Sequence, residues 1–336
     1  MSDPISKIMT AWRLDEPVGI EALAQARVPT PVPAAGEVLV RVGAAALNFS
    51  DVLMAQGRYQ IKPPPPFTPG QEIAGCVVAL GSGCHFLKAG DRIASKVEWG
   101  GFADYAIVRE PMAIRLPDTL NEAAAATLPV VWTTAWIALH ERARLQPGET
   151  VLVHAAAGGV GIACLQLVRA VGARSIALVG SRSKFNACRV AGADEVVSME
   201  DPWADIVREH GGADVVVDTI GGDATLQSLR CIARNGRLLV VGFSSGEIPQ
   251  IPANRVLLKN VSILGVYWSH NWNLLQVQRA TDALLDLYAR GAITLGPGSS
   301  YAFDDLPQAL RDIAARVTTG KSVLRSAHAQ VQGATS

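Results

Sequence analysis

Over the first hundred residues, apolar and polar positions alternate in short stretches that glycine and proline interrupt. Glu37–Val42, Ile73–Leu80, Asp91–Ser95 and Phe102–Val108 read as strands, with turns at Ala35-Gly36, Gly81–Gly83, Ala89–Asp91 and Gly100-Gly101. Many short strands between frequent glycines predict a β-barrel or sandwich. Pro63–Pro66 must be extended and cannot enter a central strand, so it reads as a stiff surface loop.

The pattern changes after Asp118. Asn121–Leu128 is alanine-rich and Thr133–Arg142 has helical spacing. Strands then alternate with helices: Thr150–His154, Ser175–Val179, Val196-Val197, Val215–Asp218, Arg237–Val241 and Val261–Gly265 as strands, and Gly159–Val171, Ser183–Ala191, Trp203–His210 and Asp223–Ile232 as helices. The strand runs are continuously apolar, as parallel strands covered on both faces require, which predicts a doubly wound sheet. Beyond it lie helical segments near Ala280–Arg290 and Leu306–Thr318 and a strand-like Ser300–Phe303. These do not extend the alternation and are expected to return to the first domain. Gln330–Ser336 is small and polar, and is expected to fray.

Composition narrows the class. Apolar residues make up 49% and charged residues 18%, which suits globular cores and opposes disorder. Thirty basic and thirty acidic residues cancel, so there is no global attraction for nucleic acid or an anionic membrane. No uninterrupted apolar run reaches the roughly 18 residues of a membrane span, and the start at Met1–Pro4 lacks the pattern of a signal peptide. Cys76, Cys84, Cys164, Cys188 and Cys231 are odd in number and scattered, as in a reducing compartment. The expectation is a soluble, cytoplasmic protein.

The strongest chemical signal is Val151–Gly161. Its Ala156-x-Gly158-x-x-Gly161 core is a dinucleotide fingerprint with alanine first, placed between an apolar strand and a helix. Gly158, Gly159, Val160 and Gly161 would present backbone N–H groups and the positive helix end to a pyrophosphate. About 20 residues on, where an acid would bind the ribose hydroxyls of NAD, the chain reads Ser181, Arg182, Ser183, Lys184. A hydroxyl and two cations suit a 2′-phosphate, so the cofactor expected is NADPH.

These residues resemble the medium-chain dehydrogenase/reductase superfamily, in particular its zinc-independent, zeta-crystallin-like quinone oxidoreductase branch. The likeness covers nearly the whole chain. Its markers are Ala45–Asp51, Pro69–Gly75, Ala89–Arg92, His154–Gly161, Ala191–Asp194 and Leu257–Asn260. The resemblance implies a GroES-like β-barrel catalytic domain over residues 1–130, a Rossmann NADP-binding domain over 131–267, and a return to the catalytic domain over 268–336. It also implies a homodimer paired through the last Rossmann strand. Zinc relatives carry Cys where Asn48 stands and His where Gln71 stands, and a four-Cys lobe. With neither ligand and no Cys-x-x-Cys spacing, no metal is expected.

By the same resemblance Asn48, Asp51 and Thr134 lie near the nicotinamide, with Asn48 and Thr134 holding the carboxamide and Asp51 orienting neighbours. Gly242, Phe243, Lys259 and Asn260 resemble cofactor contacts. Tyr59 matches a pocket tyrosine that could stack on a quinone, hydrogen-bond its carbonyl or donate a proton; it could equally pack on Pro63–Pro66. Leu53 replaces a second tyrosine of some relatives, and Trp132 and Trp136 flank Thr134 as packing residues. The expected activity is NADPH-dependent reduction of quinones or small α,β-unsaturated carbonyls by direct hydride transfer. Enoyl-thioester reduction, or a low-turnover NADPH-binding or redox-sensing role, are the alternatives.

Overall fold

The structure, a computed structural model, describes residues 5–326. In chain order its first part contains β1 (Ile8–Arg13), β2 (Ala24–Pro29), β3 (Glu37–Ala46), α1 (Phe49–Ala55), β4 (Glu72–Leu80), β5 (Arg92–Lys96), β6 (Tyr105–Arg109) and β7 (Ile114–Arg115). A helical stretch follows, with α2 (Glu122–Ala125) and α3 (Thr133–Trp136) joined by π-helical turns. The alternating part contains β8 (Thr150–Val153), α4 (Gly159–Val171), β9 (Arg174–Val179), α5 (Phe185–Val190), β10 (Glu195–Ser198), α6 (Trp203–Glu209), β11 (Ala213–Asp218), α7 (Gly222–Cys231), β12 (Ile232–Val240), α8 (Ala253–Lys259), β13 (Ser262–Gly265) and α9 (His270–Ala289). The chain then forms β14 (Ser299–Ala302), α10 (Leu306–Ala314) and β15 (Ser322–Arg325). The polar tail Gln330–Ser336 lies outside the described residues.

The chain divides into two compact units, one of residues up to Val130 and from Leu295 on, the other Val131–Thr294. The return expected from residue 268 begins only at Leu295. Helix α9 belongs to the second unit because its apolar face, Val277, Ala280 and Leu284, is buried there. Gln276 on α9 hydrogen-bonds Glu141. After it, the Thr294 N–H donates to Gln166 Oε1 on α4 at 2.7 Å.

In the first unit, β14, β15, β3, β4, β5 and β7 lie side by side in that order, and β6 also pairs with β3. All neighbours are antiparallel except β14 and β15. Strand β15 lies beside the end of β3, with Val323 opposite Ala46, and the Leu47 N–H donates to Ser322 O at 2.9 Å. Val38, Val40, Ile73, Ile93, Phe102 and Leu310 are among the buried side chains of its core.

In the second unit, β10-β9-β8-β11-β12-β13 form one parallel sheet. The chain runs outward from β8 in both directions, so the order reverses between β8 and β11. Ligands of such sheets bind at that reversal, beyond the carboxyl ends of the strands. Leu152, Ile176, Leu178, Val216 and Leu238 fill its core with Trp203.

Helix Glu122–Arg142, 21 residues, is long and apolar enough to cross a membrane, although the sequence shows no uninterrupted apolar run of that length. Thr133 and Thr134 interrupt the apolar run but lie within α3. Protein packing buries 72% of its apolar window, so its surface is that of a core helix.

Candidate active site

The turn between β8 and α4 is built by local sterics. Ala155 takes a left-handed φ of 45°, and the Gly158 N–H closes on Ala155 O at 2.8 Å. A Cβ on Gly161 would meet the backbone of Ala156 at 2.4–2.5 Å, so only glycine fits there. Helix α4 begins at Gly159 with Gly158 as its N-cap, and no side chain among the described residues caps it. The N–H groups of Gly159, Val160 and Gly161 thus stand at the helix start without intrahelical acceptors. This cradle suits a pyrophosphate.

The turn is anchored from beneath by a buried polar network. His154 Nδ1 lies 3.0 Å from Asp218 Oδ1 and His154 Nε2 lies 2.8 Å from Ser228 Oγ. Asp218 also accepts the Ile220 and Gly221 N–H groups, each at 2.9 Å, and the Thr225 hydroxyl. Burial pushes its carboxyl upward, but the His154 hydrogen bond and charge, with Gly221 and Thr225, outweigh that and bring it down to about 2. The carboxyl ends of β8 and β11 are thereby locked together on either side of the reversal.

At the end of β9, Ser181, Arg182 and Lys184 share one short 3₁₀ turn, with Ser181 Oγ accepting the Ser183 N–H at 3.3 Å. The sequence shows no acid in this run, yet folding supplies one. Asp201, just beyond β10, pairs with Arg182 Nη2 at 2.6 Å. The guanidinium also lies 5.8 Å from the Phe185 ring centroid. Gly242 and Phe243 follow β12, also on the carboxyl edge of the sheet, and Phe243 is exposed.

Thr134 reaches the same edge through a partner that sequence reasoning does not identify. Trp268, three residues past β13, donates its indole N–H to Thr134 Oγ1 at 3.0 Å. The usable sign is position, since whatever follows a parallel strand lies on the ligand edge. Trp132 is buried, as expected of packing; Trp136 stacks on His140 at 3.8 Å between centroids.

In the first unit, Asn48 caps α1, and Asp51 lies in that helix's first turn, wholly buried. Asp51 Oδ2 accepts the Asn48 N–H at 2.7 Å. Burial pushes the Asp51 carboxyl up to about 7, opposed in part by the Asn48 N–H and the Lys321 charge. Asn48 Nδ2 donates to Glu72 Oε2 at 3.2 Å, and Lys321 donates to Asn48 Oδ1. Gln71 accepts the Ser50 hydroxyl. Tyr59 follows α1 and packs, half-buried, against the core of this unit.

Profiles described as "Alcohol dehydrogenase GroES-like domain" and "Zinc-binding dehydrogenase" match residues 34–118 and 159–289. The quinone oxidoreductase-like protein 2 homolog of Nematostella vectensis is 37% identical over 300 residues, 86% of this chain and 82% of that protein. The quinone oxidoreductase of Thermus thermophilus, solved also in complex with NADPH, is 34% identical with a TM-score of 0.80, covering 94% of this chain and 100% of that one. The CurK enoyl reductase is 26% identical with a TM-score of 0.84, covering 96% and 100%. The chain belongs to the medium-chain dehydrogenase/reductase superfamily. Its place there is the zinc-independent quinone oxidoreductase branch, and it is an oxidoreductase with a GroES-like and a Rossmann domain.

Two site expectations for this medium-chain reductase are corrected. Lys259, expected to contact cofactor, donates its ammonium protons to Leu229 O, Arg230 O and Ile232 O at 2.8–3.1 Å. Those three bonds use its full donor set and cap the end of α7. Asn260 adopts φ 53° as the left-handed C-cap of α8. Both precede β13 and therefore lie at the amino edge of the parallel sheet, opposite the dinucleotide turn. Lys321 and Glu72 escape sequence reasoning as site residues, because nothing local in the sequence relates them to Asn48.

Proposed function

We propose that this chain reduces quinones or small α,β-unsaturated carbonyls with NADPH, without a metal. The observation that carries this reading is the set of groups around the end of β3. The positions where zinc relatives have ligands hold Asn48, bonded to a buried ammonium, and Gln71, bonded to Ser50. Such groups orient and polarise; they do not form a zinc ligand set. NADPH, when bound, supplies the hydride. The α4 amides hold its pyrophosphate and Arg182 its 2′-phosphate. Thr134, whose oxygen accepts from Trp268, retains its own proton to donate. A quinone takes its proton from solvent, so no strong protein acid is required.

Support for a homodimer comes from β13, which ends the sheet order and offers an unpaired edge among the described residues. Leu257, Leu258, Tyr267, Trp272 and Leu275, close to β13 in the chain, are exposed apolar side chains. A cytoplasmic setting is part of the same proposal, in keeping with the five free cysteines.

The test is NADPH oxidation against ortho-quinones, para-quinones, enones and enoyl thioesters, with and without exhaustive chelation. Turnover with the first three that survives chelation is expected. The likeness to CurK favours a second reading, and preference for an enoyl thioester would establish it instead. Chelator-sensitive turnover restored by zinc would overturn the metal-free mechanism.

A further inference from the structure

Two buried side chains, Glu72 and Lys321, and the half-buried Asn48, from distant parts of the first unit, close a ring of hydrogen bonds. Lys321 Nζ lies 2.8 Å from Glu72 Oε2 and also donates to Asn48 Oδ1; Asn48 Nδ2 donates to the same Glu72 oxygen at 3.2 Å. The other Glu72 oxygen accepts the Val130 N–H at 2.7 Å. The Glu72 side chain is wholly buried and that of Lys321 is 5% exposed.

Stability alone does not account for such a pair. Removing two charges from water costs several kcal/mol per ion, and a well-packed apolar pair of equal volume is commonly as stable. What charges provide here is polarity. The two ends of an Asn amide are nearly the same in shape but opposite in hydrogen bonding, so shape cannot select between its two flipped states. An ammonium only donates and an ionised carboxylate only accepts. Lys321 therefore requires Oδ1 on its side, and Glu72 requires Nδ2.

We propose that Lys321 is a positioning residue for Asn48: with Glu72 it clamps the amide in one orientation, and so determines which of its polar groups serves the substrate. This rests on Asn48 belonging to the active site, the reading argued above. The clamp also supplies a fixed positive charge beside two carboxyl groups. Asp51 Oδ1 is buried without a hydrogen-bond partner among the described residues. The Lys321 charge favours ionisation of Asp51 and the Glu72 charge opposes it.

The experiment is a double-mutant cycle with a second readout that needs no turnover. Lys321→Met is expected to lower kcat with quinone on the order of tenfold or more, with less than about threefold change in the NADPH KM, because an oriented contact is lost while cofactor binding persists. Lys321→Arg, which keeps a buried donor cation, should restore most of kcat. In an Asn48→Ala background Lys321→Met should add almost nothing. If unpaired Glu72 prevents Lys321→Met from folding, Lys321→Met/Glu72→Gln removes both charges and should fold with the same kcat loss. Independently, the Asn48 side-chain amide resonances, assigned by their absence in Asn48→Ala, should be slow to exchange in the wild type. They should shift and lose protection in Lys321→Met or in the double variant. Full additivity with Asn48→Ala, or unchanged amide resonances, would overturn the clamp. A wild type with no quinone or enone turnover but the expected amide behaviour would instead reject the proposed activity and leave the clamp standing.

Discussion

His154 Nδ1 and Asp218 Oδ1 lie 3.0 Å apart between two wholly buried side chains, which joins the strand before the dinucleotide turn to the strand across the sheet's reversal. Removing one partner strands the other in the core. His154→Ala is expected to cost about 3 kcal/mol, in the range of other broken buried pairs. The pH dependence follows from Asp218. Its folded carboxyl titrates at about 2 against an ordinary 3.8. A depressed carboxyl adds stability above its unfolded value and loses it as pH falls through its folded one. Wild-type stability should therefore fall between about pH 4 and pH 2 by more than that of Asp218→Asn, as measured by denaturant unfolding at each pH.

Asp51 has the opposite sign. Burial raises it to about 7, so the folded state favours the protonated acid. Between the unfolded value of 3.8 and about 7 the unfolded chain binds fewer protons, and stability falls as pH rises; above that range the penalty is constant. Asp51→Asn should gain stability relative to wild type progressively from about pH 4 to about pH 7, then hold that margin to about pH 9. A pH-independent difference between the two proteins would show that Asp51 is ionised throughout.

The indole N–H of Trp268 occupies an acceptor site of the Thr134 hydroxyl, and Trp268→Phe removes that donor while keeping an aromatic ring. Turnover is expected to fall on the order of tenfold, with NADPH affinity nearly unchanged. Thr134→Val should behave alike, and the double variant should be no worse than the poorer single one. Additive losses in kcat would separate the two residues.

On the proposed role of Arg182 at the 2′-phosphate, cofactor choice turns on this side chain. A hydrogen bond between charged groups contributes about 1.5–3 kcal/mol. Arg182→Ala should thus weaken NADPH on the order of ten- to a hundredfold and leave NADH nearly unchanged. Asp201, bonded to the same guanidinium, would compete with a bound 2′-phosphate for it. Asp201→Asn should raise kcat/KM for NADPH about two- to fivefold, with no gain for NADH. Equal effects on both cofactors would assign these side chains to packing.

The dinucleotide turn is legible in the sequence because its requirements are local. Gly161 is demanded by an atom of Ala156 five residues away, and the apolar runs of β8, β9 and β11 identify strands covered on both faces. Helix α1 is not legible because seven residues make only about two helical turns, and β2 is not because it buries only Val28 and so shows no apolar alternation. Helix α9 begins ten residues before the segment that periodicity marks at Ala280. Its first half, His270 to Gln278, shows no clear apolar face and bends at Asn273, where φ is −133°.

Side-chain partnership is another matter, because it depends on register between segments far apart in the chain. The acid beside Arg182 comes from beyond the next strand, and the three donors of Lys259 are committed to carbonyls at the end of α7. Asn48 and Lys321 are 273 residues apart and meet because β15 pairs with the end of β3. By itself the sequence determined the dinucleotide-type turn, the alternation of strands and helices from β8 to β12, and the absence of zinc-type side chains at positions 48 and 71. Only the tertiary structure decided which polar groups those positions face, since a hydrogen bond depends on three-dimensional geometry to within a fraction of an ångström and periodicity carries no such information.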